Sequence, residues 1–209
     1  MDKEVKKELN QFITTIRNMT NLQGTEAVTL DKLLAIPEFE TELRKYRIDS
    51  DEQLVTLILE NERNMFEVIF KDYNFDGNED AIDILFTVSK EMSAKFRNLS
   101  PSVTHDYKYK HPKVYQKHLD KRIAFINEKI QVNMRKGISQ GMYRDDLSIE
   151  LVARRYISRL LDIHDPVSFP PEQFSFNTLF NQMFDNFVMS IGTQKGIDYY
   201  NEKKQSTSF

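Results

Sequence analysis

Apolar residues recur at spacings of three and four along most of the chain, and this period constrains the fold more than any other feature. Leu9, Phe12, Ile13, Ile16 and Met19 form one such stripe, which a helix would place on a single face. Only 6 Gly and 6 Pro occur in 209 residues, so the residues that make the turns of a sheet are scarce. The sequence therefore predicts an all-α fold of about nine helices and no strand.

Glycine, proline and capping residues indicate where the predicted helices begin and end. Gly24 follows the first helix, Thr29 can cap a second, and Pro37 suits the start of a third. We expect residues 103–116 to be irregular with a short helix inside. One final helix is predicted from about Asn177 to Tyr199, followed by a frayed polar tail.

Charge is distributed against the usual expectation for a nucleic-acid-binding domain. Net charge is −3, and residues 1–55 hold eight basic and eleven acidic groups. Because basic groups that neutralise phosphates supply much of the affinity for DNA, this charge balance is unusual for a part of a chain that binds DNA. The chain has no cysteine and no apolar run near the ~20 residues of a membrane span. We therefore expect a cytoplasmic protein without a membrane partner.

Four stretches form an ordered set in the second half of the chain: Asn133–Asp146, Asp165–Pro166, Phe169–Phe176 and Ile191–Gly196. This set resembles the C-terminal regulatory domain of TetR-type transcriptional repressors, of the kind found in Bacteroidetes-like bacteria. The resemblance implies a helical homodimer with two domains. Residues 1–47 would be a helix-turn-helix DNA-binding domain, and residues 48–209 a regulatory and dimerisation domain.

The resemblance also assigns a DNA-reading block to Thr29–Val55. Thr29 matches a phosphate-contacting Thr, but Glu38 stands at the turn Gly, and Asp51 stands at a Lys that normally meets a phosphate. Glu38 implies a different turn, because only Gly adopts a left-handed conformation freely. The candidate DNA contacts are Thr29, Thr41, Arg44, Lys45 and Arg47. A degenerate domain that no longer binds DNA is the alternative.

Two sets of apolar residues are candidates for a partner or a ligand. The aromatic stripe near the C-terminus, with the helix before it, implies a four-helix dimer interface of Tyr156, Leu160, Phe180, Met183, Phe184, Phe187 and Ile191. The regulatory domain would hold a small apolar ligand, with wall residues Phe86, Met92, Tyr107, Phe125, Met134 and Tyr156. Ordinary core packing is the alternative for both sets.

Other chemistry is weakly indicated. Asp72–Asp83 has oxygen-bearing side chains at calcium-loop spacing and Gly77 at the sixth place, but an acidic turn between two helices is the simpler interpretation. The four histidines, without cysteine, predict no metal site. Walker, dinucleotide and nucleophile-elbow glycine patterns do not occur, so we expect neither an enzyme nor a cofactor.

Together these features predict a dimeric TetR-like regulator that binds operator DNA and is released or recruited by a small apolar ligand. The alternative is a dimeric helical sensor or interaction module that has lost DNA binding.

Overall fold

The computed structural model describes residues 3–71, 79–95, 102–170 and 172–206. These residues contain a 3-10 turn at Thr25–Ala27, no β-strand and ten α-helices. The helices are α1 Lys3–Gln23, α2 Leu30–Leu34, α3 Pro37–Lys45, α4 Asp51–Lys71, α5 Ala81–Lys95, α6 Ser102–Lys110, α7 Pro112–Ser139, α8 Ile149–Asp162, α9 Phe176–Ile191 and α10 Gln194–Ser206. The prediction of an all-α fold is confirmed.

Three details differ from the sequence-based expectation. The stretch expected to be irregular is almost entirely helical, since α6 ends at Lys110 and α7 begins at Pro112. Pro suits the first turn of a helix, whose backbone N–H groups have no intrahelical partner. The predicted final helix is two helices, because Gly192 has extended backbone (φ −67, ψ 144). The tail is helical as far as Ser206, not frayed from residue 201.

The chain forms two compact units, Met1–Glu67 with Leu99–Arg122 and Val68–Asn98 with Ile123–Phe209. The first unit has a core of aliphatic side chains from α1 to α4 and one tyrosine from α6. Its fully buried members are Ile13, Ile16, Val28, Leu33, Leu43, Ile48, Leu54, Val55, Ile58, Leu59 and Tyr107. The boundary at residue 47 between a DNA-binding and a regulatory domain stays a prediction.

The second unit has its own buried core. Buried side chains from α5, α7, α8 and α9 include Ile84, Leu85, Ile126, Ile130, Met134, Ala153, Ile157, Leu160, Phe180, Phe184, Val188 and Ile191. Ser148 and Ser175 cap the first turns of α8 and α9 by accepting backbone hydrogen bonds. Such caps define where each helix begins.

A backbone junction joins the segment after α7 to the break between α9 and α10. The Arg144 N–H donates to the Ile191 carbonyl (2.9 Å) and the Thr193 N–H to the Met142 carbonyl (3.0 Å). A Cβ at Gly196 would lie 2.1 Å from the Met142 carbonyl oxygen, so this approach requires glycine. The stretches that carry the resemblance, Asn133–Asp146 and Ile191–Gly196, thus meet in space.

A buried polar pair supports the same junction from the α7 side. Asn133 is 1% exposed; its amide donates to the Ala81 carbonyl (2.9 Å) and its carbonyl accepts from the Tyr143 hydroxyl (3.0 Å). Burial raises the pKa of Tyr143, which therefore stays a neutral hydrogen-bond donor. The Tyr143 ring covers Gly137, where a Cβ would be 2.0 Å from a ring carbon.

Candidate functional site

The start of α2 is held by two side chains of the same chain. The Thr29 hydroxyl accepts from the Lys32 N–H (3.4 Å), as a helix cap does. The Asp51 carboxylate accepts from the Leu30 N–H at 2.6 Å. Backbone N–H groups at a helix start are a common binding place for phosphate. In this protein two of these N–H groups, those of Leu30 and Lys32, already donate to side chains of the same chain.

The turn between α2 and α3 does not use a left-handed residue. Ala35 is helical (φ −74, ψ −7), Ile36 is extended (φ −108, ψ 114), and Pro37 opens α3. Glu38 lies in the first turn of α3, where a carboxylate is favourable. The expectation that Glu38 requires a different turn is therefore confirmed.

The candidate contacts on α3 lie on the surface, but glutamates pair with two of them. Arg44 donates to Glu40 Oε1 through Nε (2.9 Å) and Nη2 (2.8 Å). The Lys45 ammonium lies 3.0 Å from Glu8 and 3.6 Å from Glu42. The hydrogen bond to Glu8 is the main reason that the pKa of Lys45 is raised.

Thr41 and Arg47 complete the candidate DNA contacts. Thr41 is exposed, and its hydroxyl donates to the Pro37 carbonyl (3.0 Å). Arg47 is exposed just after α3 and has a positive φ of 54°. Within the described residues Arg47 makes no ion pair. The surface of α3 is thus polar, with its charges largely balanced inside the chain.

The candidate wall residues for an apolar ligand do not all lie in one unit. Tyr107 is 2% exposed in the core of the first unit, and burial raises its pKa to about 12. The other five belong to the second unit. There Phe86 packs edge-on against Tyr200 (centroids 6.1 Å apart) and Phe125 against Phe70 (5.2 Å). Their role in ligand binding stays a prediction.

Metal and membrane signals are weak in the described part of the chain. No group of three or more potential metal-binding side chains occurs there, and none of its helices is long and apolar enough to span a membrane. Most of the calcium-loop stretch, residues 72–78, lies outside the described residues. Its last candidate ligand, Asp83, instead accepts from the Tyr199 hydroxyl (2.9 Å) and pairs with Lys203 (2.9 Å).

Comparison with known proteins gives two similar solved structures. One is the ketosteroid transcriptional regulator KstR2 of Mycobacterium tuberculosis, with 13% identity, a TM-score of 0.55, and coverage of 90% of this chain and 96% of that chain. The other is a TetR transcriptional regulator from Chloroflexus aurantiacus J-10-FL, with 15% identity, a TM-score of 0.61 and the same coverage. No family model matches the sequence, and no curated protein matches it either.

The chain has the fold of TetR-type transcriptional regulators. The resemblance inferred from the sequence is therefore confirmed as a likeness of fold. Within this TetR-type fold, the candidate DNA-reading block is α2, the turn at Ala35–Pro37, and α3.

The helices expected to dimerise in a TetR-type fold, α8 and α9, bury most of the candidate interface inside their own unit. Leu160, Phe180, Met183, Phe184, Phe187 and Ile191 are each between 1% and 9% exposed. The Tyr156 ring lies 4.7 Å from that of Phe187. On the same two helices Leu151 is 57% exposed and Met189 47%. They are the exposed large apolar side chains of α8 and α9, and the predicted dimer interface stays a prediction.

Sequence reasoning missed the internal partners of the DNA-reading block. The sequence identifies Asp51 only as the replacement of a lysine, and its bond to Leu30 spans 21 residues. Glu8 is 37 residues from Lys45. No local pattern connects the two.

Proposed function

We propose that this chain is a dimeric TetR-like transcriptional regulator in the cytoplasm that binds duplex operator DNA through α2 and α3. A small apolar ligand in the second unit would release it from DNA or recruit it. The likeness in fold to two transcriptional regulators across 90% of the chain carries this proposal. The exposed Thr41, Arg44, Lys45 and Arg47 support it.

The mechanism requires two states that the ligand distinguishes. A ligand shifts the population only as far as its affinity differs between the DNA-competent and incompetent arrangements. A two-fold dimer would present two copies of α3, so its operator would be palindromic, with half-sites about one helical turn apart.

Selection from a random pool of duplex DNA at low and moderate salt tests this proposal. We expect enrichment of a palindrome and loss of binding in the double variant Lys45→Ala, Arg47→Ala. Arg135→Ala is the matched control, because it removes an exposed cation from α7 outside the DNA-reading block. A folded dimer that enriches no sequence at either salt concentration would contradict the proposal.

The alternative, a helical sensor that has lost DNA binding, is favoured by two observations. Glu40 and Glu42 do not point away from the cations of α3 but pair with Arg44 and Lys45, and Asp51 occupies the start of α2.

The double variant Glu40→Gln, Glu42→Gln separates the two functions. A regulator restrained by these pairs should gain DNA affinity and show a steeper salt dependence, because the freed Arg44 can neutralise a phosphate, whereas Lys45 keeps its pair with Glu8. A sensor without a DNA-binding surface should remain inactive. In both cases the helical content should be unchanged, because both side chains are partly exposed, Glu40 to 41% and Glu42 to 35%, and neither is part of the core.

A further inference from the structure

Helix α6 contacts the short connection between α1 and α2 within the first unit. The Thr25 hydroxyl donates to Asp106 Oδ2 (2.9 Å) and accepts from the Lys110 ammonium (2.9 Å). The same ammonium forms an ion pair with Glu26. Asp106 and Lys110 are four residues apart and therefore lie on one face of α6. That face holds two consecutive residues of the connection.

The connection that α6 holds is short and has few bonds of its own. It is the 3-10 turn Thr25–Ala27, and the backbone bonds donated by Ala27 and Val28 are 3.3 and 3.2 Å long, at the long end of the usual range. From the other side, the Lys32 ammonium on α2 donates to the Glu26 carbonyl (2.6 Å). Because 3-10 hydrogen bonds have poor geometry, contacts from outside the turn contribute much of its order.

The attachment of α6 is polar and partly open to solvent. Among residues 106–110, Tyr107 alone is buried, and it belongs to the core of the first unit. The side chains of Lys110 and Glu26 are 38% and 79% exposed, and such exposed pairs stabilise a structure little. Thr25 is 3% exposed, so its hydroxyl is the protected part of the contact. The contact is specific in geometry but weak enough to open locally.

We propose that Asp106 and Lys110 form a latch that orders the connection between α1 and α2 and thereby fixes α2, the first helix of the candidate DNA-reading block. When the latch is closed, α2 begins from a fixed point. When it is open, the connection and the first turn of α2 fluctuate, and DNA binding has to restore their order at a cost in affinity. The effect on DNA rests on the proposed function, whereas the ordering of the connection does not.

Amide hydrogen exchange of the full-length protein tests the latch without DNA. The latch variant is Asp106→Ala, Lys110→Ala, which removes both side chains and leaves the net charge unchanged. We expect exchange over residues 27–34 to become at least about fivefold faster, as the loss of one hydrogen bond of ordinary strength implies. Thr25→Val removes the same hydroxyl contact from the other side and should speed exchange in the same segment.

The control variant is Lys117→Ala, Asp120→Ala on α7. Both residues are exposed, belong to the same unit and carry opposite charges, so the control also preserves the net charge. We expect it to exchange like the unmodified protein over residues 27–34. Both double variants replace exposed side chains with the best helix former and should therefore fold.

Binding to duplex DNA selected from the random pool measures the consequence for the DNA-reading block. We expect the latch variant to bind roughly threefold to tenfold more weakly than the control variant, the cost of ordering a loosened segment on binding. Because the two variants have the same net charge, this difference reports order rather than electrostatic attraction.

Faster exchange confined to the connection and α2, together with weaker DNA binding, supports the latch. Unchanged exchange in both the latch variant and Thr25→Val overturns it, as does a rise spread evenly over the whole first unit. Faster exchange with the DNA affinity of the control variant shows that α6 does not act on the DNA-reading block, which also contradicts the proposal. If the unmodified protein enriches no DNA sequence, the proposed function fails, and the exchange result alone then supports or overturns the ordering role.

Discussion

At the scale of single residues, two glycines near the end of α7 are needed for different physical reasons. Gly137 lies under the Tyr143 ring, with 2.0 Å between a ring carbon and any added Cβ. Gly141 has open space around it but a φ of 69°. The first position excludes a side chain by contact, and the second by backbone conformation.

We expect Gly137→Ala to destabilise the protein by about 1–3 kcal/mol through overpacking. Gly141→Ala should cost about 1 kcal/mol, because a left-handed conformation disfavours a Cβ. Urea denaturation of both variants measures the two costs. Alanine ordinarily stabilises a helix interior relative to glycine, so a Gly137→Ala variant more stable than the unmodified protein would disprove the close packing.

His118 should make stability depend on pH. The unfolded chain binds a proton on this ring near the ordinary histidine pKa of 6.5, whereas the folded chain does so only near 3. Between these values the unfolded state holds more protons, so the free energy of unfolding falls as the pH is lowered.

We expect a loss of about 2 kcal/mol between pH 7 and pH 5 from this one group. The positive groups around it are Arg63 from α4 and Lys121 and Arg122 from α7. His118→Leu should flatten the pH dependence, while His111→Gln, a change at a half-buried ring, should preserve it. Equal pH dependence in all three proteins would contradict the assignment.

At the scale of elements, two carboxylates attach α10 to its neighbours. Asp83 on α5 accepts from the Tyr199 hydroxyl and pairs with Lys203. Asp185 on α9 accepts from the Tyr200 hydroxyl (2.5 Å) and pairs with Lys204 (2.5 Å). Burial and the bond to Asp185 raise the pKa of Tyr200, so its hydroxyl remains a donor.

Removing these carboxylates should loosen α10 to different degrees. Asp185→Ala should cost about 1–3 kcal/mol, because it leaves the hydroxyl of the 3%-exposed Tyr200 without an acceptor. Asp83→Ala should cost less, since Tyr199 is half-buried and can reach water. Amide hydrogen exchange along α10 measures both effects, with Asp198→Ala, an exposed change on the same helix, as the control. Equal exchange in all three variants would show that the carboxylates do not hold the helix.

Helix type and most helix ends could be predicted from the sequence, because period and caps are local properties. The period around Ile13 and Ile16, the cap at Thr29, and the stop at Gly141 are all set within a few residues. The contact that accompanies the break at Gly192 could not be predicted this way, since the Thr193 N–H donates to the Met142 carbonyl, 51 residues earlier. For the same reason the Glu8–Lys45 pair has no local signal.

At the scale of the whole molecule, dimerisation should depend on exposed rather than buried side chains of α8 and α9. Leu151 and Met189 are each about half exposed, whereas Phe184 is 5% exposed and holds its own unit together. The double variant Leu151→Glu, Met189→Glu is therefore expected to be a folded monomer. Phe184→Ala should instead lose about 3–5 kcal/mol of stability.

Sedimentation equilibrium and circular dichroism together check this prediction. Val167→Glu is the control, because Val167 is 83% exposed and lies outside both helices. A dimer that persists in the Leu151, Met189 variant would place the interface elsewhere on the surface.

The hydrogen bond from Leu30 to Asp51 also bears on how tightly the whole molecule can hold DNA. Any phosphate that binds at the start of α2 has to displace a carboxylate that is tethered to the same chain. A tethered competitor acts at a fixed effective concentration, often in the millimolar range, which dilution of the protein does not reduce. In the proposed regulator, only a nucleic acid with enough additional contacts would therefore displace Asp51, and weak, sequence-independent binding would be disfavoured.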